Sequence, residues 1–281
     1  MKRFTQHLSA AALAISMVGA AQAADIVFIV DESGSMGGEH TWLGSMVTSL
    51  EAELIAAGET GNNYGLVGYG AANSGGHTVA GHEHLVGGAS FGTAAELATA
   101  TGGLTLTGGT EDGWEAINFA LSNYTFTSSA INFILVTDED RDNINGALSY
   151  GGMEAALAEA GVVLNAVVNA PVISDGGRAV GTNGTDAYVA DGLGGYTTAG
   201  FLNYQSAYGT TVADYSDLAI ATGGASWDLN MLRAGGLTAQ SFTDAFVDIK
   251  VHEIITQTPE PSTLALMTLG LIGIGARRLR K

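Results

Sequence analysis

Three short apolar runs limit what this chain can fold into: residues 26–30, residues 131–136 (interrupted by Asn132) and residues 162–168. They are rich in branched side chains and bounded by Gly or acidic residues, the pattern of strands buried on both faces. Helical patterns lie between them. Leu43, Val47, Leu50 and Leu54 recur at helical spacing ahead of Gly58, and an Ala-, Leu- and Glu-rich stretch at 153–160 stops at Gly161. Phe242, Ala245, Phe246 and Ile249 fall on one face of a last helix. Residues 64–69 and 226–229 are weaker strand candidates. Alternating strands and helices predict an α/β domain: a doubly wound, mostly parallel central sheet flanked by helices on both faces.

One stretch breaks the alternation. From Pro171 to about Val212 the chain is rich in Gly, Thr and Tyr without a clear period, and reads as a long irregular insertion at the carboxyl edge of the sheet. Its aromatics, Tyr188, Tyr196, Phe201, Tyr204 and Tyr208, either anchor a partner or pin the segment to its own sheet.

Both ends carry processing signals. Lys2 and Arg3, an apolar stretch over 8–21 and the small-x-small sequence Ala21-Gln22-Ala23 predict an export signal, residues 1–23, cleaved after Ala23. At the other end Pro259-Glu260-Pro261 precedes an apolar run over 263–276 and the basic cluster Arg277, Arg278, Arg280 and Lys281. Such a run ahead of cationic residues predicts a short transmembrane helix with its charges on the cytoplasmic side. The domain between them, 24–258, carries four basic side chains against 27 acidic ones. That balance argues against nucleic acid or an anionic membrane surface as partner. The chain has no cysteine, so disulfides, thiolate metal sites and cysteine nucleophiles are excluded.

The chemistry concentrates at predicted strand ends. Asp31-Glu32-Ser33-Gly34-Ser35 follows the first strand and places a carboxylate and two hydroxyls on a tight loop. Thr107-Gly108-Gly109-Thr110 opens a helix starting near Asp112, and Thr137-Asp138 ends a second buried strand. In an open parallel sheet these strand ends share the edge where ligands bind, and hard divalent cations take oxygen ligands of this kind.

On these residues the sequence resembles the von Willebrand factor A domain with its metal-ion-dependent adhesion site (MIDAS). The resemblance implies that Asp31, Ser33, Ser35, Thr110 and Asp138 hold Mg²⁺ or Ca²⁺, and that a partner's carboxylate completes the shell. Two departures stand out: Glu139, Asp140 and Asp142 follow the late aspartate, where the family commonly has Gly, and Glu111 and Asp112 open the helix. Glu111, Asp112, Glu139 and Asp140 are then accessory acidic candidates that favour the larger shell of Ca²⁺, or solvated loop charges. The C-terminus, with Pro259, Glu260 and Pro261, resembles the PEP-CTERM sorting signal (259–281). That implies removal by an exosortase-type membrane protease, with membrane contact only through the tail before processing.

Two other constellations carry chemistry. His77, His82 and His84 cluster in a Gly-rich stretch, and imidazoles two apart on a strand share a face; with no fourth ligand evident, they read as a Zn or Cu site or as a solvated edge strand. Ser35, Asp138 and His252 follow the chain order of α/β-hydrolase triads, yet the nucleophile elbow G-x-S-x-G is missing. The expected function is therefore non-enzymatic: metal-dependent adhesion to an acidic group of a protein or polysaccharide. The expected location is the cell surface, outer membrane or extracellular matrix of a Gram-negative-type bacterium. A structural matrix protein without metal-dependent binding, or a secreted serine hydrolase, are the alternatives.

Overall fold

The three apolar runs become the centre of one sheet. The structure is a computed structural model that describes residues 23–257. In chain order its elements are β1 (Ala24–Asp31), α1 (Gly37–Ala56), β2 (Asn63–Tyr69), β3 (His82–His84), α2 (Ala94–Ala100), α3 (Gly113–Asn123), β4 (Ala130–Val136), α4 (Tyr150–Ala160) and β5 (Val162–Val168). Then come β6 (Val172–Ser174), β7 (Gly177–Ala179), β8 (Gly181–Thr182), β9 (Asp186–Ala190), β10 (Tyr196–Tyr204), α5 (Asp217–Ala221), β11 (Ser226–Asp228), α6 (Leu229–Arg233) and α7 (Gly236–Gln257). The strands lie in the order β3-β2-β1-β4-β5-β11-β8-β9-β10-β6-β7. From β2 to β11 neighbouring strands run parallel; β3 and the strands beyond β11 pair antiparallel.

Side-chain alternation along β1 divides the interior. Ala24, Ile26, Phe28 and Val30 join Leu43, Met46, Val47 and Leu50 of α1 and Phe242 and Phe246 of α7. Val27 and Ile29 join Trp114 and Ile117 of α3 and Met153 and Leu157 of α4. Both faces of the parallel core are thus covered, the doubly wound α/β arrangement expected from the alternation. Each large aliphatic side chain so buried contributes roughly 1.5–3 kcal/mol. Helix ends follow local chemistry: Asp112 accepts from the backbone N–H of Trp114 and Glu115 to cap α3, and Gly161 stops α4 at φ 68°, a conformation open to Gly without strain.

The segment after Pro171 is not irregular. Strands β6 to β10 extend the sheet as short antiparallel ladders, separated by turns. The missing period has a physical cause: four of these five strands are only two to five residues long, and a bulge between Phe201 and Asn203 breaks the alternation of the longest. Its aromatics mostly pin it down. Tyr188 stacks on Trp227, which itself packs on Phe246, Tyr196 donates to Asp248, and Phe201 packs on Tyr204. Tyr208 alone of the five is 46% exposed.

Candidate metal centre

The chain steps from β1 to β2 on one side and returns to β4 on the other, so β1 and β4 flank the switch point where an open α/β sheet forms a ligand crevice. Their register sets Val30 beside Val136, which brings Asp31 and Thr137 together just beyond the ladder. The Thr137 hydroxyl donates to Asp31 Oδ2 at 2.8 Å, and the Ser33 backbone N–H donates to Asp31 Oδ1 at 2.7 Å. Ser33 and Ser35 hydroxyls lie 3.1 Å apart, and Ser35 Oγ donates to Asp138 Oδ1 at 3.0 Å. Loops more than 100 residues apart in sequence therefore meet at one point.

Glu111 completes the cluster. Asp31, Glu111 and Asp138 are all buried, and each offers a carboxylate oxygen within 4.8 Å of the others. Burial pushes the Glu111 carboxyl up to about 9, with the Asp31 charge adding to it; burial raises Asp31 as well, against its hydrogen bonds. One Glu111 carboxylate oxygen is buried without a hydrogen-bond partner. Gly70, at φ 77°, makes room: a Cβ there would stand 3.0 Å from both Asp31 Oδ1 and Glu111 Cγ. Three buried carboxylates facing one another with an orphaned oxygen suit a hard divalent cation, which supplies the missing positive charge and takes oxygen ligands.

The other candidate residues separate. Thr110 is exposed on the loop directly before Glu111. Asp112 caps α3 and is held by Arg141 at 2.7 Å. Asp140 accepts from the backbone and hydroxyl of Thr210. Glu139 stays near the cluster, its carboxyl raised by partial burial and by the charge of Asp138. Asp142 clamps the Glu111 backbone, accepting from its N–H at 2.7 Å. The Ser35 hydroxyl has Ser33 and Asp138 as partners, with no imidazole among the described residues in the role of base.

Two neighbours escaped the sequence reading. Arg233 of α6 donates to Asp138 Oδ2 at 2.9 Å and to Glu39 at 2.6 Å, which puts a fixed cation at the rim. Nothing in the sequence around 233 marks it. Glu32, between Asp31 and Ser33, turns to the opposite face of the sheet, where His77, His82 and His84 gather.

The comparisons with known proteins bear on the two parts of the chain separately. Residues 257–281 match the family model of the PEP-CTERM protein-sorting motif. The chain carries an export-sorting signal. That signal belongs to export through the envelope of Gram-negative-type bacteria and to exosortase processing. The apolar run at 263–276 lies outside the described residues, and among those described no helix is long and apolar enough to cross a membrane.

Among solved structures, the chain is similar to proximal thread matrix protein 1 from the mussel byssus, at 18% identity and TM-score 0.38, over 53% of this chain and 36% of that one. A second structure of that protein, with a zinc-occupied MIDAS motif, gives 19% identity and TM-score 0.37, over the same shares of each chain. The vWF domain of the type V pili tip protein Mfa5 from Porphyromonas gingivalis gives 20% identity and TM-score 0.32, over 43% of this chain and 40% of that one. The chain thus spans little more than a third of the length of these proteins. No curated protein matches the sequence significantly.

Proposed function

We propose that this exported chain is a von Willebrand factor A-type binding module, residues 24–258, whose Asp31, Ser33, Ser35, Thr110 and Asp138, with Glu111, hold one Mg²⁺ or Ca²⁺. The observation that carries the reading is the meeting of Asp31, Glu111 and Asp138 with two serine hydroxyls at the switch point of the sheet. The ion would neutralise the buried carboxylates and present an electrophilic face to an anionic ligand. Ser35 and Thr110 are exposed, so the ligand side of the site faces solvent. Beside Ser35 a cleft of about 470 Å³ is lined in part by Trp42 and Arg233, residue types that commonly anchor protein partners. Adhesion through an acidic group at the cell surface, outer membrane or extracellular matrix follows from this site together with the sorting signal. The reading needs no catalytic step.

Titration calorimetry of the purified protein with Mg²⁺ and with Ca²⁺ tests it. One equivalent is expected, lost in Asp138→Ala, and binding to immobilised polyglutamate or a uronic-acid polysaccharide should require the ion. Metal binding unchanged by Asp138→Ala, or retention on the acidic surface in chelator, sinks the reading.

A further inference from the structure

We infer that Glu32, His77, His82 and His84 form a second metal site, selective for Zn²⁺, that clamps the Asp31–Ser35 loop from the opposite face of the sheet. The four side chains each offer a ligand atom within 4.8 Å of the others. Glu32 Oε1 lies 3.0 Å from His77 Nδ1 and 3.3 Å from His84 Nε2, and Glu32 Oε2 lies 2.8 Å from His82 Nε2. Four ligands around tetrahedral zinc, with bonds of about 2.0–2.1 Å, stand about 3.3 Å apart. The cluster already has that scale.

Alignment separates this arrangement from a plain ion pair. His77 Nδ1 is hydrogen-bonded to Glu32 Oε1. By contrast Glu32 Oε2, His82 Nε2 and His84 Nε2 are buried without a hydrogen-bond partner, although His82 and Glu32 are within hydrogen-bonding distance. Atoms so close yet misaligned with one another are placed to converge on a shared point. The far side of His82 supports an Nδ1–H tautomer: Nδ1 lies 3.3 Å from the Ala80 carbonyl oxygen and 3.3 Å from the Thr78 hydroxyl, which itself donates to Ala80 O. With its proton on Nδ1, the Nε2 lone pair faces the Glu32 carboxylate, an arrangement that a cation between them relieves.

The backbone leaves space for this centre. His82 and His84 pair with Gly68 and Leu66 of β2 and so share the face of α1, while Glu83 points to the other side. A Cβ on Gly68 would run into Glu32 Oε2 and come within 2.7 Å of His84 Nε2. Three imidazoles and one carboxylate suit a borderline cation better than Mg²⁺ or Ca²⁺, and four protein ligands make a closed, structural centre. Glu32 also ties neighbouring segments together: Thr105 N donates to Glu32 Oε1 at 2.8 Å, and Thr107 N to Glu32 O at 2.9 Å. A zinc ion here fixes both the D-x-S-x-S loop and the approach to Thr110.

X-ray absorption at the zinc edge, on the full chain loaded with zinc in excess Mg²⁺, tests this without any variant. One zinc per chain with imidazole scattering from three histidines is expected. A shell of oxygens only, or no retained zinc, overturns the proposal, the second outcome leaving a histidine-carboxylate ion pair. His82→Asn and Glu32→Gln should each weaken zinc by more than the roughly 10- to 100-fold that follows loss of an outer-shell partner. Zinc retained in His82→Asn but lost in Asp138→Asn would place the ion at the oxygen cluster and also overturn it. Mg²⁺ binding is read separately, so failure of either centre is distinguishable from failure of the other.

Discussion

Two clusters share one strand end and differ in almost every chemical respect. Asp31 continues the face of β1 that carries Val27 and Ile29, and meets Glu111 and Asp138. Glu32, one residue on, belongs to the face of Ile26 and Phe28, and meets three histidines. The first centre is all oxygen, negatively charged and open toward exposed Ser35; the second mixes nitrogen with oxygen and is closed by its own ligands. A strand with a period of two thus sorts adjacent acidic residues into separate chemistries with no extra structure. If each cluster is a metal centre, each should respond to its own class of ion and to its own substitutions.

The sharpest break is Asp138→Asn. It removes one carboxylate from the oxygen cluster and takes from Arg233 one of its two acidic partners, leaving Glu39. Mg²⁺ affinity should fall by about a hundredfold, near 2.7 kcal/mol, while zinc affinity stays within a few-fold of wild type. Calorimetry with both ions on the same protein checks this, and a parallel loss of zinc would mean that the two sites are one.

Protonation of the oxygen cluster offers the next test. In chelator, Glu111 keeps its proton up to about 9 in the folded chain, against an ordinary value of 4.5. Between those limits the unfolded chain has already released a proton that the folded chain retains. Stability is therefore greatest below the lower limit and drains away as pH rises through the upper one. The loss should stay below the limit of roughly 1.4 kcal/mol per pH unit that one retained proton sets, and be flattened by Glu111→Gln and by added Mg²⁺. Thermal melts at stepped pH measure it; an unchanged slope in Glu111→Gln would assign the dependence elsewhere.

Much of this comparison was legible before any coordinates, and the rest was hidden for identifiable reasons. The three buried runs and the helices between them carry strong periodicity, and β1, β4, β5 and α7 lie where those patterns place them. The D-x-S-x-S loop and Asp138 follow strands, so their meeting is a consequence of parallel topology. Glu111 stood among four accessory acids that spacing alone could not rank; what distinguishes it is depth, which depends on Gly70 and on the Asp142 clamp far along the chain. Glu32 carries no role in the D-x-S-x-S pattern, yet strict alternation after Val30 already aims it at the face of α1, away from Asp31. Arg233 was invisible because only the packing of α6 brings it to Asp138. The strands after Pro171 were missed because short, bulged ladders leave too little pattern to read.

Gly68→Val probes the second centre from below. The added side chain would occupy space held by Glu32 and His84, forcing the ligands apart or pushing β2 aside. Zinc affinity should drop by about tenfold, near 1.4 kcal/mol, with Mg²⁺ binding unchanged within about threefold. Equal weakening of both ions would instead indicate that the strand end moves as a unit.

Arg233→Gln should produce the smallest change, and in the opposite direction. The guanidinium holds Asp138 and Glu39 together and is half-buried against them. It would act as a resident cation competing for an oxygen that a divalent ion bound there would need, and partial solvent exposure weakens that competition. Removing it should tighten Mg²⁺ by about threefold, roughly 0.6 kcal/mol, and leave zinc untouched, since the hydrogen bonds of Arg233 go to Glu39, Ser35 and Asp138 and not to Glu32 or the histidines. If Mg²⁺ binding weakens instead, Arg233 serves to orient Asp138 for the ion and does not stand in for it.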